Sequence, residues 1–416
     1  MTAPAAAASA AGRTVWVVSE LYHPETTSTG YFLTGIAEAL AQRWTVRVLC
    51  SQPTYSQRGV LAPKHEQRNG TEITRCFSTR FSKDHLPGRL LNLVTASVSM
   101  GCNLTIHARH GDVVLVVTNP PLLPFMATLA ARLRGARVIL LIHDVYPEVF
   151  VATGFARPGS LLVRTVARLT RWLYRRVDQI IVLGRDMKAL VERKLEGAAQ
   201  RVVIIPNWGD VVRVRPQPRD ANPVLAELGL RDNFVIQFLG NIGRTHGVEM
   251  LIDAARLLAA DSRVHFLFVG WGGRRAWLEE TVAREQLGNV TVRPGCSDAD
   301  LPDFLNAADV AVIPFLPGMS GVSVPSRLYN VLAAGKPVLA VADPDSELAR
   351  VVLEEGVGWV VAPGDLAGLV EAIAAATDPA ARAVMGRRAR DAAVAKYSYD
   401  KVGTQYEGLM HTMMGT

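Results

Sequence analysis

Short apolar runs alternate with amphipathic, helix-length segments along almost the whole chain, in two series separated by one break. The first series contains TVWVVS at 14–19, 46–50, TEITRCF, DVVLVVTNPP, RVILLIHD, QIIVLG and RVVIIPN. Runs of this length, apolar throughout rather than at alternate positions, belong to strands buried on both faces, which means parallel sheets covered by helices. Helices are expected at 89–109, 122–134, 160–175 and 185–195, and residues 53–90 read as irregular surface decoration around TEITRCF. At 207–223 the composition shifts to NWGDVVRVRPQPRDANP, rich in Pro, Asp and Asn, as at a crossing between domains. The pattern then restarts with FVIQFLG, VHFLFVG, VTVRPG, VAVIPF, PVLAV and GWVV, each followed by a helix or a loop. The fold class is therefore α/β, with two doubly wound Rossmann-like domains facing each other across a cleft. The expected division is a disordered leader at 1–13, a first domain at 14–206, the crossing at 207–223, a second domain at 224–395 and a C-terminal helix at 396–416. That last helix is expected to pack back on the first domain.

At 416 residues the chain suits two domains. Its four cysteines are scattered without metal-ligand spacing, which fits a reducing cytoplasm. No apolar run approaches the ~20 residues of a membrane span. Charge is unevenly placed: residues 1–205 hold 25 Lys and Arg against 13 Asp and Glu, while the rest of the chain is net acidic. Ten of the basic residues fall within 157–194. There Arg164, Arg168, Arg171 and Arg175 share one helical face, and Leu162, Val166, Leu169 and Leu173 share another, as in a helix packed through its apolar stripe. Such a basic face suits anionic lipid head groups, and no aromatic-studded basic strand points to nucleic acid. The expected location is the inner face of the cell membrane, without a span.

Ligand-binding features cluster at the strand ends. The loop ELYHPETTSTG follows the first strand, at the edge where open α/β sheets hold ligands, and it lacks the G-x-G-x-x-G dinucleotide fingerprint. Segment 317–337, PGMSGVSVPSRLYNVLAAGKP, is a Ser/Gly loop opening onto a helix, an arrangement that suits an anion. The pairs Asp298/Asp300 and Asp343/Asp345 sit at helix starts, where acidic residues favour the dipole, and read as structural rather than metal-binding.

These segments, in this order, resemble retaining glycosyltransferases of family 4, of GT-B fold. FLGNIGRTHGVEMLIDA, FVGWGG, VRPGCSDADLPDFLNAADVAVIPF and PSRLYNVLAAGKPVLAV carry the likeness in the second half. LYHPETTSTG, VTNPPL and LIHDVYPEVF carry it in the first. The nearest set is the bacterial transferases of the fucosamine and colanic-acid type, which build polysaccharides on lipid carriers. The resemblance implies a nucleotide-sugar donor held mostly by the second domain, a lipid-linked glycan acceptor, no metal and no separate cofactor.

It also implies a set of site residues. His143 matches the family's pocket histidine, and Gly30 matches the glycine beside the diphosphate. The family's phosphate site, a Gly-Arg segment followed by Lys-Gly, falls at Gly240–Asn241 and His246–Gly247. Both basic side chains are missing there, and Arg244 is expected to supply the charge, with Gly243, Gly270 and Gly272 completing the loops. Two family glutamates fall at Val322 and Asn330, so Asn330 is left to contact ribose. Ser320, Gly321, Ser323 and Ser326 are expected on the donor side, and Tyr22 and Glu25 on the acceptor side. Two other readings remain: a GT-B nucleotide-sugar epimerase, and a degenerate scaffold that binds a partner transferase, for which Val322 and Asn330 are the best support.

Overall fold

The computed structural model describes residues 12–53, 61–81, 86–195, 201–243 and 246–415. Its first sheet contains β1 (Thr14–Val18), β2 (Thr45–Cys50), β3 (His65–Arg68), β4 (Thr71–Arg75), β5 (Val113–Val117), β6 (Arg137–Leu141), β7 (Gln179–Val182) and β8 (Val202–Ile204). Their order is β3-β4-β2-β1-β5-β6-β7-β8. Every neighbouring pair is parallel except β3 with β4. β5, VVLVV, sits near the middle of the sheet and is buried at all five positions. The helices are α1 (Ser28–Leu40), α2 (Leu86–His107), α3 (Leu123–Arg134), α4 (Glu148–Ala152), α5 (Leu161–Arg176) and α6 (Arg185–Leu195).

The second sheet is wholly parallel, in the order β11-β10-β9-β12-β13-β14. It is built from β9 (Phe234–Leu239), β10 (Val264–Val269), β11 (Val290–Arg293), β12 (Val310–Pro314), β13 (Val338–Val341) and β14 (Gly358–Val361). The helices that matter below are α7 (Pro223–Leu228), α8 (Val248–Leu257), α9 (Arg275–Glu285), α10 (Leu301–Asn306), α11 (Arg327–Ala333), α12 (Glu347–Glu354), α13 (Leu366–Ala376), α14 (Pro379–Ala395) and α15 (Tyr399–Met414). Residues 1–11 of the expected leader lie outside the described residues.

Two expectations are corrected. The strand expected at TEITRCF is β4, but residues 65–68, expected as surface decoration, form β3 and pair with it in a hairpin that turns at Asn69 and Gly70, both with positive φ. Asn-Gly is the favoured dipeptide for such a turn, because both of its central residues need that conformation. On α5 the apolar stripe is not all packed inward. Leu162 is 47% exposed and Leu169 50%, while only Thr170, Leu173 and Tyr174 are buried. Its basic residues Arg164, Arg168, Arg171 and Arg175 are exposed, so α5 shows both kinds of side chain to solvent.

The chain passes between the sheets at two places that touch. At the first crossing, Gly209 N–H donates to the Tyr397 carbonyl at 2.8 Å and Gly209 bridges Ser398. Beyond the second crossing, α15 lies against α1, burying Val402, Tyr406, Met410 and Met413. Each such burial is worth roughly 1.5–3 kcal/mol. The Tyr399 hydroxyl also donates to the Gly35 carbonyl at 3.0 Å.

Arg390 braces the first crossing from α14. It donates to the carbonyls of Val211, Val214 and Ala333, each at 2.8 Å. Arg390→Met keeps the stem and leaves these carbonyls without their cation, so a loss of about 2–4 kcal/mol in urea unfolding is expected. A loss under about 0.5 kcal/mol would show that apolar packing alone holds the crossing.

Candidate active site

The carboxyl edges of the two sheets meet across the cleft. The residues after β6 and the loop after β12 form a short antiparallel contact: Asp144 bridges Ser323, and Val145 N–H donates to the Val322 carbonyl at 2.9 Å. Beside it the hydroxyls of Ser28, on α1, and Ser326, next to α11, are 2.9 Å apart. Burial raises the Asp144 carboxyl, and its hydrogen bond from Ser323 partly offsets this.

The Ser/Gly loop spends its amides within the protein. Gly318 and Ser320 donate to one oxygen of Asp343 at 3.0 and 3.2 Å. Gly321 donates to Asp186 at 2.8 Å, and the same oxygen takes the Glu347 amide at 2.9 Å. These carboxylates do for the loop what a phosphate was expected to do, which withdraws the Ser320 and Gly321 amides from the donor. Ser323 likewise serves Asp144.

His143 lies at the carboxyl end of β6. Thr118 Oγ1 accepts its backbone N–H at 3.1 Å, and its ring Nδ1 sits 3.2 Å from Thr29 Oγ1. The residue keeps some exposure, but Nε2 is sealed from solvent and has no partner. Burial lowers the imidazole to about 4, so it is neutral at physiological pH. A buried ring nitrogen without a partner costs free energy.

The acceptor-side expectations fail. Tyr22 is 2% exposed and Glu25 is 4% exposed, so both side chains are turned into the protein, while Thr26 of the same loop is exposed. Gly30 has an internal reason to be glycine: a Cβ there would lie 2.7 Å from the Glu25 carbonyl oxygen.

On the donor side, the loops after β9 and β10 close on each other. A Cβ on Gly270 would meet the Gly240 oxygen at 1.8 Å, so only glycine lets the two loops touch. Asn241 and Gly243 share the first loop, and Gly272 lies against Ile242 in the second. Arg244 lies outside the described residues. His246 stacks on Phe315 with ring centroids 5.9 Å apart, and burial holds it well below the usual histidine range. It is therefore neutral and supplies no charge. Asn330 uses Oδ1 to accept the Asp210 amide at 3.0 Å, which ties that oxygen to the crossing and leaves only Nδ2 for a ribose. Val322 is packed into the apolar core of the second domain.

Arg327 is the residue that sequence reasoning missed. It opens α11, and its guanidinium carbon stands 4.6 Å over the Phe238 ring. Its Nη1 donates to the Leu239 carbonyl at 3.4 Å. The available signal was a cation in the first turn of a helix, where the dipole disfavours it. A cavity of about 500 Å³ lies beside the start of α8, lined by Gly247 of the expected phosphate segment and Pro317 of the Ser/Gly segment together with Gly273, Phe315, Leu316 and Gly364.

Comparison with known proteins places this geometry. Residues 29–208 match the family described as glycosyl transferase 4-like domain, and residues 233–378 match glycosyl transferases group 1. The chain is 32% identical over 361 residues to a probable glycosyltransferase, WbjE, of Pseudomonas aeruginosa, covering 86% of this chain and 88% of that one. It is 29% identical to the putative colanic acid biosynthesis glycosyl transferase WcaI of Escherichia coli K12, over 85% and 89% of the two chains. In fold it is similar to sucrose-phosphate synthase of Thermosynechococcus elongatus, with TM-score 0.77 and 18% identity over 97% and 100% of the chains. WaaG, a glycosyltransferase involved in lipopolysaccharide biosynthesis, superposes with TM-score 0.69 and 18% identity over 94% and 98%. The first matched stretch falls on the first sheet beyond β1 and the second on the second sheet, and the relatives span both, so the chain belongs to the family 4, group 1 glycosyltransferases and has the GT-B fold.

Proposed function

We propose that this glycosyltransferase moves a sugar, with retention and without a metal, from a nucleoside-diphosphate donor to a glycan carried on a membrane lipid. The reading places it on the inner face of the cell membrane, in the assembly of cell-surface polysaccharide. WcaI, named for colanic acid biosynthesis, supports the polysaccharide context, and HepE of Anabaena, with TM-score 0.72, is a structural neighbour bound to UDP and glucose. The observation that carries the lipid acceptor is a mixed apolar and basic surface that begins at the carboxyl side of the first sheet, where α2 and α5 start, and runs back along α3 and α5.

That surface is assembled from separate elements. Phe77 is 70% exposed and Phe81 53%, both in the segment after β4. Leu90 and Leu91 follow on the first turns of α2, and Leu161, 78% exposed, opens α5 beside Leu162. Trp172, Leu129 and Leu133 extend the apolar surface along α5 and α3. Exposed Arg164, Arg168, Arg171 and Arg175 lie among them. Among the described residues no helix is long and apolar enough to cross a membrane. Shallow apolar insertion combined with basic residues binds a leaflet reversibly, each cation contributing ~1 kcal/mol near anionic lipid.

The direct test offers uridine, guanosine and adenosine diphosphate sugars together with a synthetic lipid-diphosphate-linked sugar. A disaccharide-lipid whose new linkage keeps the donor's anomeric configuration is expected by NMR. Inverted product, or transfer only to water-soluble sugars, overturns the reading.

His143 is assigned to the transferred sugar because it stands at the carboxyl end of β6 beside Thr29 and keeps some exposure there. His143→Gln is expected to lower kcat about 10- to 100-fold while donor affinity changes little. Because the folded pKa is about 4 and the ordinary value 6.5, the unfolded chain takes up a proton that the folded chain refuses. Stability is therefore lost as pH falls from about 6.5 towards 4, and the variant should lose that part of the acid sensitivity. Full activity in a variant with a much lower melting temperature would make His143 structural.

Membrane attachment is read by co-sedimentation with vesicles. Anionic vesicles should retain the protein at low salt, and replacing Arg164, Arg168, Arg171 and Arg175 by Gln should release it. Equal binding to neutral vesicles, or no effect of the four substitutions, excludes the electrostatic part of the attachment.

A further inference from the structure

A partly buried guanidinium is usually paired with a carboxylate, since desolvating a charge is costly unless an opposite charge repays it. Arg327 has no such partner among the described residues. Of its five N–H donors, the one bond it makes goes to the Leu239 carbonyl, at a long 3.4 Å. Burial lowers the group to about 10, which leaves it cationic at neutral pH. It also stands in the first turn of α11, where the dipole opposes a positive charge. Burial and the dipole thus disfavour the charge, and inside the protein only the face of the Phe238 ring and the long bond to Leu239 offset them.

Its surroundings show what it awaits. The guanidinium lies against the end of β9, where a Cβ on Gly240 would be 3.3 Å from its central carbon. Gly240 therefore leaves it room to reach the loop after β9. On the far side of that loop, His246 feels the Arg327 charge and is held neutral in part by it. These are the two positions, Asn241 and His246, where basic side chains of the family's phosphate site are replaced. Arg327 keeps partial exposure, so its free N–H groups are not sealed into the core.

We propose that Arg327 is the cation that receives the diphosphate of the donor, reaching the phosphate site from α11 in place of the missing loop side chains. The identity of the anion, a nucleoside diphosphate, rests on the sugar-transfer reading above. The need for an anion rests on the guanidinium itself. During transfer the bond from the anomeric carbon to the diphosphate oxygen breaks, and its electron pair stays on that oxygen. The acceptor hydroxyl oxygen bonds to the carbon and releases its proton to water. A guanidinium already in place meets the charge gained by the leaving group.

The test uses the full chain and its Arg327→Met and Arg327→Lys variants, with UDP, GDP, ADP and inorganic pyrophosphate as probes. Calorimetric titration and thermal melting supply the readouts. Arg327→Met removes the charge but keeps an apolar stem over Phe238, so without ligand it should melt at or above the wild-type temperature. Its affinity for the diphosphates that the wild type binds should fall about 10- to 100-fold, with Arg327→Lys in between. Two results overturn the proposal: a methionine variant that melts several degrees lower yet binds diphosphates normally, or a wild type that binds none of the four probes. Failure of the lipid-acceptor reading looks different, because diphosphate binding would persist without transfer to lipid.

Discussion

The antiparallel contact between Asp144–Val145 and Val322–Ser323 sets the relation of every other part of the site. Parallel sheets bring their loops to one edge, but two such edges have no intrinsic reason to meet. Here a pair of extended segments, one from each domain, joins them through backbone hydrogen bonds. Asp186 and Asp343 then fix the second of these segments from either side by accepting its amides. The outcome is a cleft whose wall is rigid backbone. In the proposed reading its chemistry falls to a few side chains, His143 on one side and Arg327 on the other.

Those two side chains have opposite electrostatic character, for one shared reason. Desolvation removes the proton from His143 and leaves a neutral hydrogen-bonding ring. The same desolvation acts on Arg327 but is too weak to discharge a guanidinium. In the proposed reading the sugar would thus meet a neutral partner and the phosphate a charged one. This division suits a reaction in which charge develops on the diphosphate.

Most of the architecture was legible because uninterrupted apolar runs such as VVLVV and VHFLFV have few places to go other than the middle of a parallel sheet. The β3–β4 hairpin was missed although Asn69-Gly70 announced it, since His65–Arg68 (HEQR) has no apolar pattern to mark a strand. Periodicity on α5 showed which residues share a face, but not that Leu162 and Leu169 lack a cover. Tyr22 and Glu25 were misplaced for a similar reason: a polar loop looks exposed until two of its side chains are seen to turn inward. Arg327 escaped notice because its meaning lies in a contact between α11 and β9, 88 residues apart along the chain. Local pattern carries no trace of that reach.

The return of the chain at α15 bears on how such a cleft can open. Because residues 397–398 lie beside Gly209, the domains are joined by two adjacent strands of backbone rather than by one flexible tether. A single linker would permit swivelling in any direction. Two side by side act as a hinge with one axis, so the lips of the cleft part and return along one path. Any closure along that path brings Ser28 to Ser326 and Asp144 to Ser323, the pairings seen here.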